Sequence, residues 1–168
     1  MKISDTLLPE FDMEMANTRK CLARIPADKF SFKPHLKSFE MGALAVHIAT
    51  MLDWGATTLK SDNFDYAPVG AEPYVPPVAK TNADLLAMFD SGSAKFRAAL
   101  AAAENDALMA PWSLLAGGKT IFTMPRVAVL RGMIFNHIVH HRGQLSVYLR
   151  LCDIPVPAIY GPSADEAN

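Results

Sequence analysis

The stretch FNHIVHHRGQLSVYLRL, residues 135–151, decides what kind of fold the chain adopts. At about 100° per residue, an α-helix places His137, His141, Gln144 and Tyr148 on one narrow stripe. The stretch is otherwise largely apolar, so this stripe is expected to face a protein core. Two imidazoles at positions i and i+4 of an inward face lie side by side, close enough to bind one ion. The stretch therefore predicts a long helix that carries a pair of metal ligands.

The same helix is predicted to span residues 125–151, since a proline at its first position lacks only an N–H that has no helical partner. Leu130 and Met133 extend the inward stripe toward the N-terminus. His140 falls on the edge of the stripe. Arg142 points well away from it and is expected at the surface, or paired with a loop.

A third histidine, His47, lies on the inward stripe of a second predicted helix, between Leu44 and Met51. A lone histidine on an apolar face is usually a hydrogen-bonded core residue, and this interpretation stays open beside metal ligation. The zincin motif HExxH does not apply, because Ile138 stands where its glutamate base is required. Neutral imidazoles suit zinc, nickel or iron. The residues predicted to hold one divalent ion are His47, His137 and His141.

Four helical stretches, separated by proline-rich or glycine-rich breaks, indicate a single domain over residues 1–168. The helices are predicted at residues 5–24, 40–60, 82–104 and 125–151. Ser38 and Thr81 are the expected N-caps of the second and third, and Gly92 is expected to weaken the middle of the third.

The connections complete the predicted fold. Residues 61–80 form a long crossover, because a helix cannot accommodate its prolines, which are Pro68, Pro73, Pro76 and Pro77. Residues 111–125 form a small β-hairpin around Gly117 and Gly118. The predicted fold class is all-α: an antiparallel four-helix bundle with a long crossover loop and a small β-hairpin before the last helix.

Composition narrows the classes of function. The 168 residues are 51% hydrophobic and 20% charged with a formal net charge of -1, so no basic stripe favours nucleic-acid binding. Acidic residues interrupt the N-terminal region, and no apolar run reaches membrane-spanning length, which predicts a cytoplasmic protein without a membrane partner. Cys21 and Cys152 lack the spacing of a metal motif and are expected to be reduced and buried.

Two segments resemble the DinB/YfiT-like four-helix bundle proteins, and the resemblance covers essentially the whole chain. FKPHLKSFEMGALAVHIATMLDW, residues 32–54, is similar to the family's loop and second helix, and NHIVHHRGQLSVYLRLCDIPVPAIYGPSADE, residues 136–166, to its last helix and tail. The resemblance implies a divalent ion held by one histidine of the second helix and two of the fourth. Matched residue by residue, these are His47, His137 and His141. Some relatives use mycothiol, bacillithiol or glutathione, and others are described as metal-dependent hydrolases.

A three-histidine site leaves coordination positions open for water or a thiol. We therefore expect a metal-dependent enzyme that uses a low-molecular-weight thiol as cosubstrate and acts as a thiol S-transferase on a small molecule. Two alternatives stay open: a metal-dependent hydrolase, and a non-catalytic, stress-associated protein that binds a metal or a small molecule. A fourth protein ligand would favour the structural role.

Glu14, at the edge of the first helix's stripe, is expected to accept a proton from the incoming thiol or water; the alternative is an exposed surface carboxylate. Gln144 is expected to orient a ligand or metal-bound water, with an interhelical hydrogen bond as the alternative. Four further side chains are expected to line the substrate pocket, although core packing is the alternative for the tryptophan: Thr18, Met51, Trp54 and His140.

Two expectations concern the tail and the assembly. The C-terminal tail either folds back over the bundle mouth, where Tyr160 and Ser163 meet substrate, or frays. The alanine-rich stretch AALAAA, residues 98–103, suits close helix contact and predicts a homodimer.

Overall fold

The computed structural model describes residues 2–72 and 75–167, so Pro73 of the predicted crossover lies outside the described residues. The helices are α1 (Ile3–Ala23), α2 (Met41–Lys60), α3 (Asn82–Ala102), α4 (Asn105–Met109), α5 (Arg126–Val129) and α6 (Asn136–Leu151). The strands are β1 (Asn63–Asp65), β2 (Pro111–Ala116) and β3 (Lys119–Pro125). A 3-10 turn covers Ala27–Lys29, and a π-helical turn, Leu130–Phe135, joins α5 to α6. Within the described ranges, no helix is both long and apolar enough to cross a membrane.

The four long helices share one core, because α1 packs on α3 and α6, and α2 packs on the same two helices. The apolar periodicity of residues 5–24 predicts an inward stripe of four residues, and all four are buried: Leu7, Phe11, Met15 and Leu22. The rings of Phe11, Phe96 and Phe135 meet at centroid distances of 5.1 to 5.9 Å and join α1, α3 and the π-helical turn. The antiparallel order of the four helices stays a prediction.

Two glycines allow α2 and α3 to approach closely. A Cβ atom at Gly55 of α2 would lie 2.3 Å from the ring of Phe96, and one at Gly92 of α3 would lie 3.0 Å from Leu52. Gly92 was expected to weaken α3, but the helix runs unbroken from residue 82 to residue 102. The packing of Gly92 against α2 accounts for its place in a helix that it disfavours intrinsically.

The helix starts confirm one predicted cap and correct another. At α3, the Thr81 hydroxyl accepts from the Asp84 N–H at 3.1 Å, and the Asp84 carboxylate accepts from the Thr81 N–H at 2.9 Å. The N-cap of α2 is Glu40 and not Ser38. The first two N–H groups of α2 donate to the carbonyls of Phe32 and Phe30, so the preceding loop supplies the cap.

The predicted last helix is interrupted. It divides into α5, the π-helical turn and α6, and Pro125 is the N-cap of α5 as well as the end of β3. A π-helical turn has more residues per turn than an α-helix, and it therefore rotates the stripe drawn at 100° per residue. Leu130 is buried as expected, but Met133, expected on the inward stripe, is 41% exposed, whereas Ile134 and Phe135 face the core.

The predicted β-hairpin is present as β2 and β3, and a third strand corrects the purely all-α class. β1 pairs with β2 in parallel, in the order β1-β2-β3. The Asp65 carboxylate accepts from the N–H groups of Gly117 (3.0 Å) and Gly118 (2.7 Å), whose φ values of 59° and 76° suit glycine. The crossover is thereby fixed to the hairpin turn.

Candidate metal centre

Three histidines from two helices converge at one point. His47 lies on α2, and His137 and His141 lie on α6, one turn apart. The ring centroids are 4.7 Å apart for His47 and His141, 5.3 Å for His47 and His137, and 4.6 Å for His137 and His141. One nitrogen of each ring lies within 4.8 Å of those of the other two. The juxtaposition predicted from the two stripes is therefore present.

Hydrogen bonds fix the orientation of the two rings on α6. Nδ1 of His141 lies 2.7 Å from Oε1 of Gln144, and Nδ1 of His137 lies 3.3 Å from the carbonyl oxygen of Met133. Because both partners are acceptors, each Nδ1 carries the proton and each Nε2 keeps a free lone pair. The amide nitrogen of Gln144 in turn lies 3.1 Å from Nε2 of His140. Gln144 thus bonds to His141 within its own helix and not between helices, and its role in orienting a metal ligand stays a prediction.

Burial keeps the three imidazoles uncharged. It lowers the pKa of His47 to about 4, with a further contribution from charge on His141 and His137. It also lowers the pKa values of His137 and His141. The three rings are therefore neutral at pH 7, and neutral imidazole is the form that binds a metal.

The donor set fits a divalent ion. Nitrogens that each lie about 2.1 Å from one ion are about 3 to 4 Å apart, so small side-chain rotations bring the three rings onto a common centre. Within the described ranges, these three histidines are the only cluster of His, Cys, Asp or Glu side chains close enough to hold an ion. Cys21 and Cys152 are free thiols outside it. Imidazole ligands suit zinc, nickel or iron.

A cavity of about 700 Å³ opens beside the cluster. Its walls are one face of α2, the loop that precedes α2 and residues 76–79 of the crossover, and His47 is part of the wall. Phe39 stacks on His47 at a centroid distance of 6.1 Å, and the ring of Trp54 meets His47 edge-on at 6.4 Å. The histidine cluster therefore borders a space large enough for a small molecule.

The side chains expected in a substrate pocket lie in three different places. Trp54 lines the cavity, and its exposed side chain contacts the rings of His47 and Phe64. Thr18 and Met51 are completely buried and lie outside the cavity wall. His140 is exposed, where it contacts Gln144. Of this predicted set, only Trp54 lines the cavity.

Glu14 and Arg142 form a buried ion pair, so neither side chain lies at the surface. Arg142 has a side chain only 4% exposed, and its Nη1 lies 2.6 Å from the Glu14 carboxylate. Of the two expectations for Arg142, the surface position is wrong and the pairing with a loop is confirmed through Tyr160. The same guanidinium donates to the Thr18 hydroxyl and to the hydroxyl of Tyr160, which is 2.8 Å from both Glu14 oxygens. Glu14, expected to accept a proton at the metal centre, is thus engaged by Arg142 and Tyr160.

The C-terminal tail packs back onto the helices. Two ion pairs hold it, Arg150 with Asp165 and Arg24 with Glu166. Tyr160 reaches Glu14 and Arg142, so the structure places this tail residue in the buried ion-pair cluster. The periodicity of α1 or of α6 cannot predict this contact, because it joins three separate segments: α1, α6 and the tail.

Comparisons with known proteins match the chain to one family over its whole length and to the same fold. The sequence model of the DinB family matches residues 1–168. The uncharacterized protein YrdA of Bacillus subtilis (strain 168) is 29% identical over 163 residues, which cover 96% of this chain and 90% of that protein. Crystal structures of DinB-like proteins from Bacillus cereus and from Bacillus subtilis (YjoA) superpose with TM-scores of 0.70 at 21% and 22% identity. The matches cover 95% and 90% of this chain, and 98% and 96% of those chains. At these identities the structures support the fold alone.

Proposed function

The chain belongs to the DinB family, and on that premise we propose that it is a metal-dependent enzyme that joins a low-molecular-weight thiol to a small electrophilic substrate. The metal centre of this proposal is one divalent ion, zinc, nickel or iron, held by the three histidines described above. The thiol S-transferase activity is favoured over hydrolysis because the neighbouring cavity has predominantly apolar walls, which hold an organic substrate and exclude water.

One observation carries the proposal: His47 belongs to the histidine cluster and to the cavity wall at the same time. A structural metal site is normally closed by four protein ligands, often including cysteine. Here the described residues offer three ligands beside a cavity large enough for a substrate. This arrangement supports a catalytic role more than a structural one.

The chemistry divides between the ion and the chain. A divalent ion bound there would supply Lewis acidity, which lowers the pKa of a thiol at an open position. Gln144 and the Met133 carbonyl hold two of the ligand rings in place. The aromatic wall of Phe39 and Trp54 holds the electrophile next to His47. A bond forms between the thiol sulfur and the electrophilic carbon, the leaving group departs with the electron pair of the broken bond, and the thiol proton passes to solvent.

The test uses untagged protein loaded in turn with zinc, nickel or iron(II), with glutathione and 1-chloro-2,4-dinitrobenzene as probes. We expect metal-dependent formation of the thioether and release of chloride, above the uncatalysed rate. The His47→Ala variant should lose this activity, and His35→Ala, which alters an exposed loop histidine, should retain it.

A spectroscopic measurement separates the alternatives. In cobalt-substituted protein, 2-mercaptoethanol should produce a thiolate-to-cobalt charge-transfer band. A cobalt spectrum that no thiol or anion alters would overturn the catalytic proposal in favour of a structural metal. Metal-dependent hydrolysis of 4-nitrophenyl acetate without thiol transfer would replace the transferase with a hydrolase.

We also propose the antiparallel bundle order and a homodimer. Ala98, Ala101 and Ala102 of the alanine-rich stretch are exposed on α3, which leaves small side chains available for a second helix. Light scattering should give the mass of a dimer at micromolar concentration. The mass of a monomer at high micromolar concentration would contradict the proposed assembly.

A further inference from the structure

We infer that the cavity beside His47 binds a neutral, mainly hydrophobic compound with an aromatic ring and excludes small anions. The assignment to the electrophilic substrate rests on the proposed function, but the binding preference follows from the cavity walls alone. It defines a substrate class that the histidine cluster itself does not specify.

The first argument is the composition of the walls. Three aromatic side chains line the cavity: Phe30, Phe39 and Trp54. Phe39 stacks on the His47 ring and Trp54 meets it at a steep angle, which places two flat apolar surfaces next to the candidate metal centre. Aromatic rings contribute large contact areas and pack against other rings in offset or edge-to-face geometry. These walls favour a planar hydrophobic guest.

The second argument is charge. Among the described residues that line the cavity, the only side chain with a full charge at pH 7 is Glu40, and no lysine or arginine is present. A carboxylate or phosphate that entered would lose water without gaining a cationic partner, and it would meet the negative charge of Glu40. The cavity therefore disfavours anions even though its size would admit them.

The third argument is the small number of polar groups available for a polar guest: the described wall carries two hydroxyl groups, those of Ser31 and Thr50, besides Glu40 and His47. The Thr50 hydroxyl on the cavity wall already donates to the His47 carbonyl at 3.1 Å. A sugar or other polyhydroxylated guest would need several such groups to replace its bonds to water. An apolar guest has no such requirement, and its burial is favourable in proportion to the apolar area removed from water.

Matched naphthalene probes test this inference. Binding of 2-naphthalenemethanol and of 2-naphthoate is measured by calorimetry, with NMR of the Trp54 indole N–H to locate the guest. The metal-free protein is decisive, because a bound ion could itself attract the carboxylate. We expect the neutral alcohol to bind at least about tenfold more tightly than the carboxylate, and to shift the Trp54 signal.

Two variants refine the test. Ala43 lines the cavity and is exposed, so Ala43→Phe should fill the space and abolish binding. The control Ala107→Phe changes an exposed residue of α4 outside the cavity wall and the proposed dimer face, and it should leave binding unchanged. Glu40→Gln should reduce the ratio of alcohol affinity to carboxylate affinity several-fold, because it removes the negative charge that repels the carboxylate.

The results for ligand binding and for metal content test two separate proposals. Equal or tighter binding of 2-naphthoate to the metal-free protein would overturn the inference, as would unchanged alcohol binding in Ala43→Phe. Metal content is measured on the same samples. Normal metal uptake without alcohol binding would reject only the inferred cavity preference, and alcohol binding without metal uptake would reject only the proposed metal centre.

Discussion

Replacement of Arg142 by methionine should strongly destabilise the protein, because it would leave the Glu14 carboxylate buried without its cationic partner. The two side chains are 4% and 7% exposed, and their charged atoms are 2.6 Å apart. Arg142 also donates to the Glu14 carbonyl at 3.1 Å and to the Thr18 hydroxyl at 3.2 Å. Loss of one partner of such a buried pair typically lowers the free energy of unfolding by about 3–5 kcal/mol.

An exposed ion pair provides the matched control. Arg19 contacts both oxygens of Asp90 at 2.8 and 2.9 Å, but about half of each side chain is exposed. Exposed pairs of this kind contribute about 0–1 kcal/mol, so Arg19→Met should lower the free energy of unfolding by no more than that. The two variants make the same chemical change at sites that differ in burial.

The double variant Glu14→Met/Arg142→Met tests the cause. It removes both buried charges, and replacement of a buried pair by hydrophobic residues is often neutral or stabilising. Because no unpaired charge is left, the double variant should be more stable than Arg142→Met. Of the partners left behind, Tyr160 is largely exposed and can bind water through its hydroxyl, and the Thr18 hydroxyl still donates to the Glu14 carbonyl.

Urea denaturation followed by circular dichroism at 222 nm measures all four proteins, and equal denaturant slopes are required for the comparison. An effect of Arg142→Met no larger than that of Arg19→Met would refute the argument from burial. So would a double variant that loses the sum of its single losses. Arg142 directly follows His141, so zinc affinity is measured under conditions where each variant is folded.

Two further predictions concern packing and ligand orientation. Gly55→Ala should lower the free energy of unfolding by about 1–3 kcal/mol, because its Cβ would meet Phe96 at 2.3 Å. Gly143→Ala, on open α6 surface, should raise the free energy of unfolding by about 0.5–1 kcal/mol. Equal urea midpoints for the two variants would contradict the close packing of Gly55. Gln144→Ala should weaken zinc affinity about 10- to 100-fold in competition with a chromogenic chelator, because it releases Nδ1 of His141; unchanged affinity would show that the bond does not orient the ligand.

The inward direction of each histidine could be predicted because it depends on local periodicity, whereas the meeting of His47 with His137 and His141 is a contact between α2 and α6 that the family resemblance implied. The phase of a helix relates His137 to His141 within one turn, and the apolar neighbours of His47 show that it faces inward. The N-cap Thr81 was predictable for the same reason, since its partner Asp84 is three residues away. Such features require only the geometry of a single helix.

Other features depend on contacts between distant segments. Arg142 is outward-facing on a helical wheel, yet it is covered because Tyr160 of the tail and Glu14 of α1 lie over that face. The three residues of β1 lack a detectable period, and their partner strand is about fifty residues away. Met133 is exposed because the π-helical turn changes the periodicity that the wheel assumes. Sequence periodicity predicts neither the contacts between distant segments nor the π-helical turn.

The most direct test of the metal centre is elemental analysis of untagged protein and of four variants: His47→Ala, His137→Ala, His141→Ala and, as the control, His35→Ala. Circular dichroism verifies the fold of each. The wild type and His35→Ala should contain about one equivalent of zinc, nickel or iron per chain, and each of the other three variants should lose most of it. Full occupancy in all three ligand variants, or a wild type that takes up no divalent ion from excess metal, would contradict the assignment of His47, His137 and His141 as ligands.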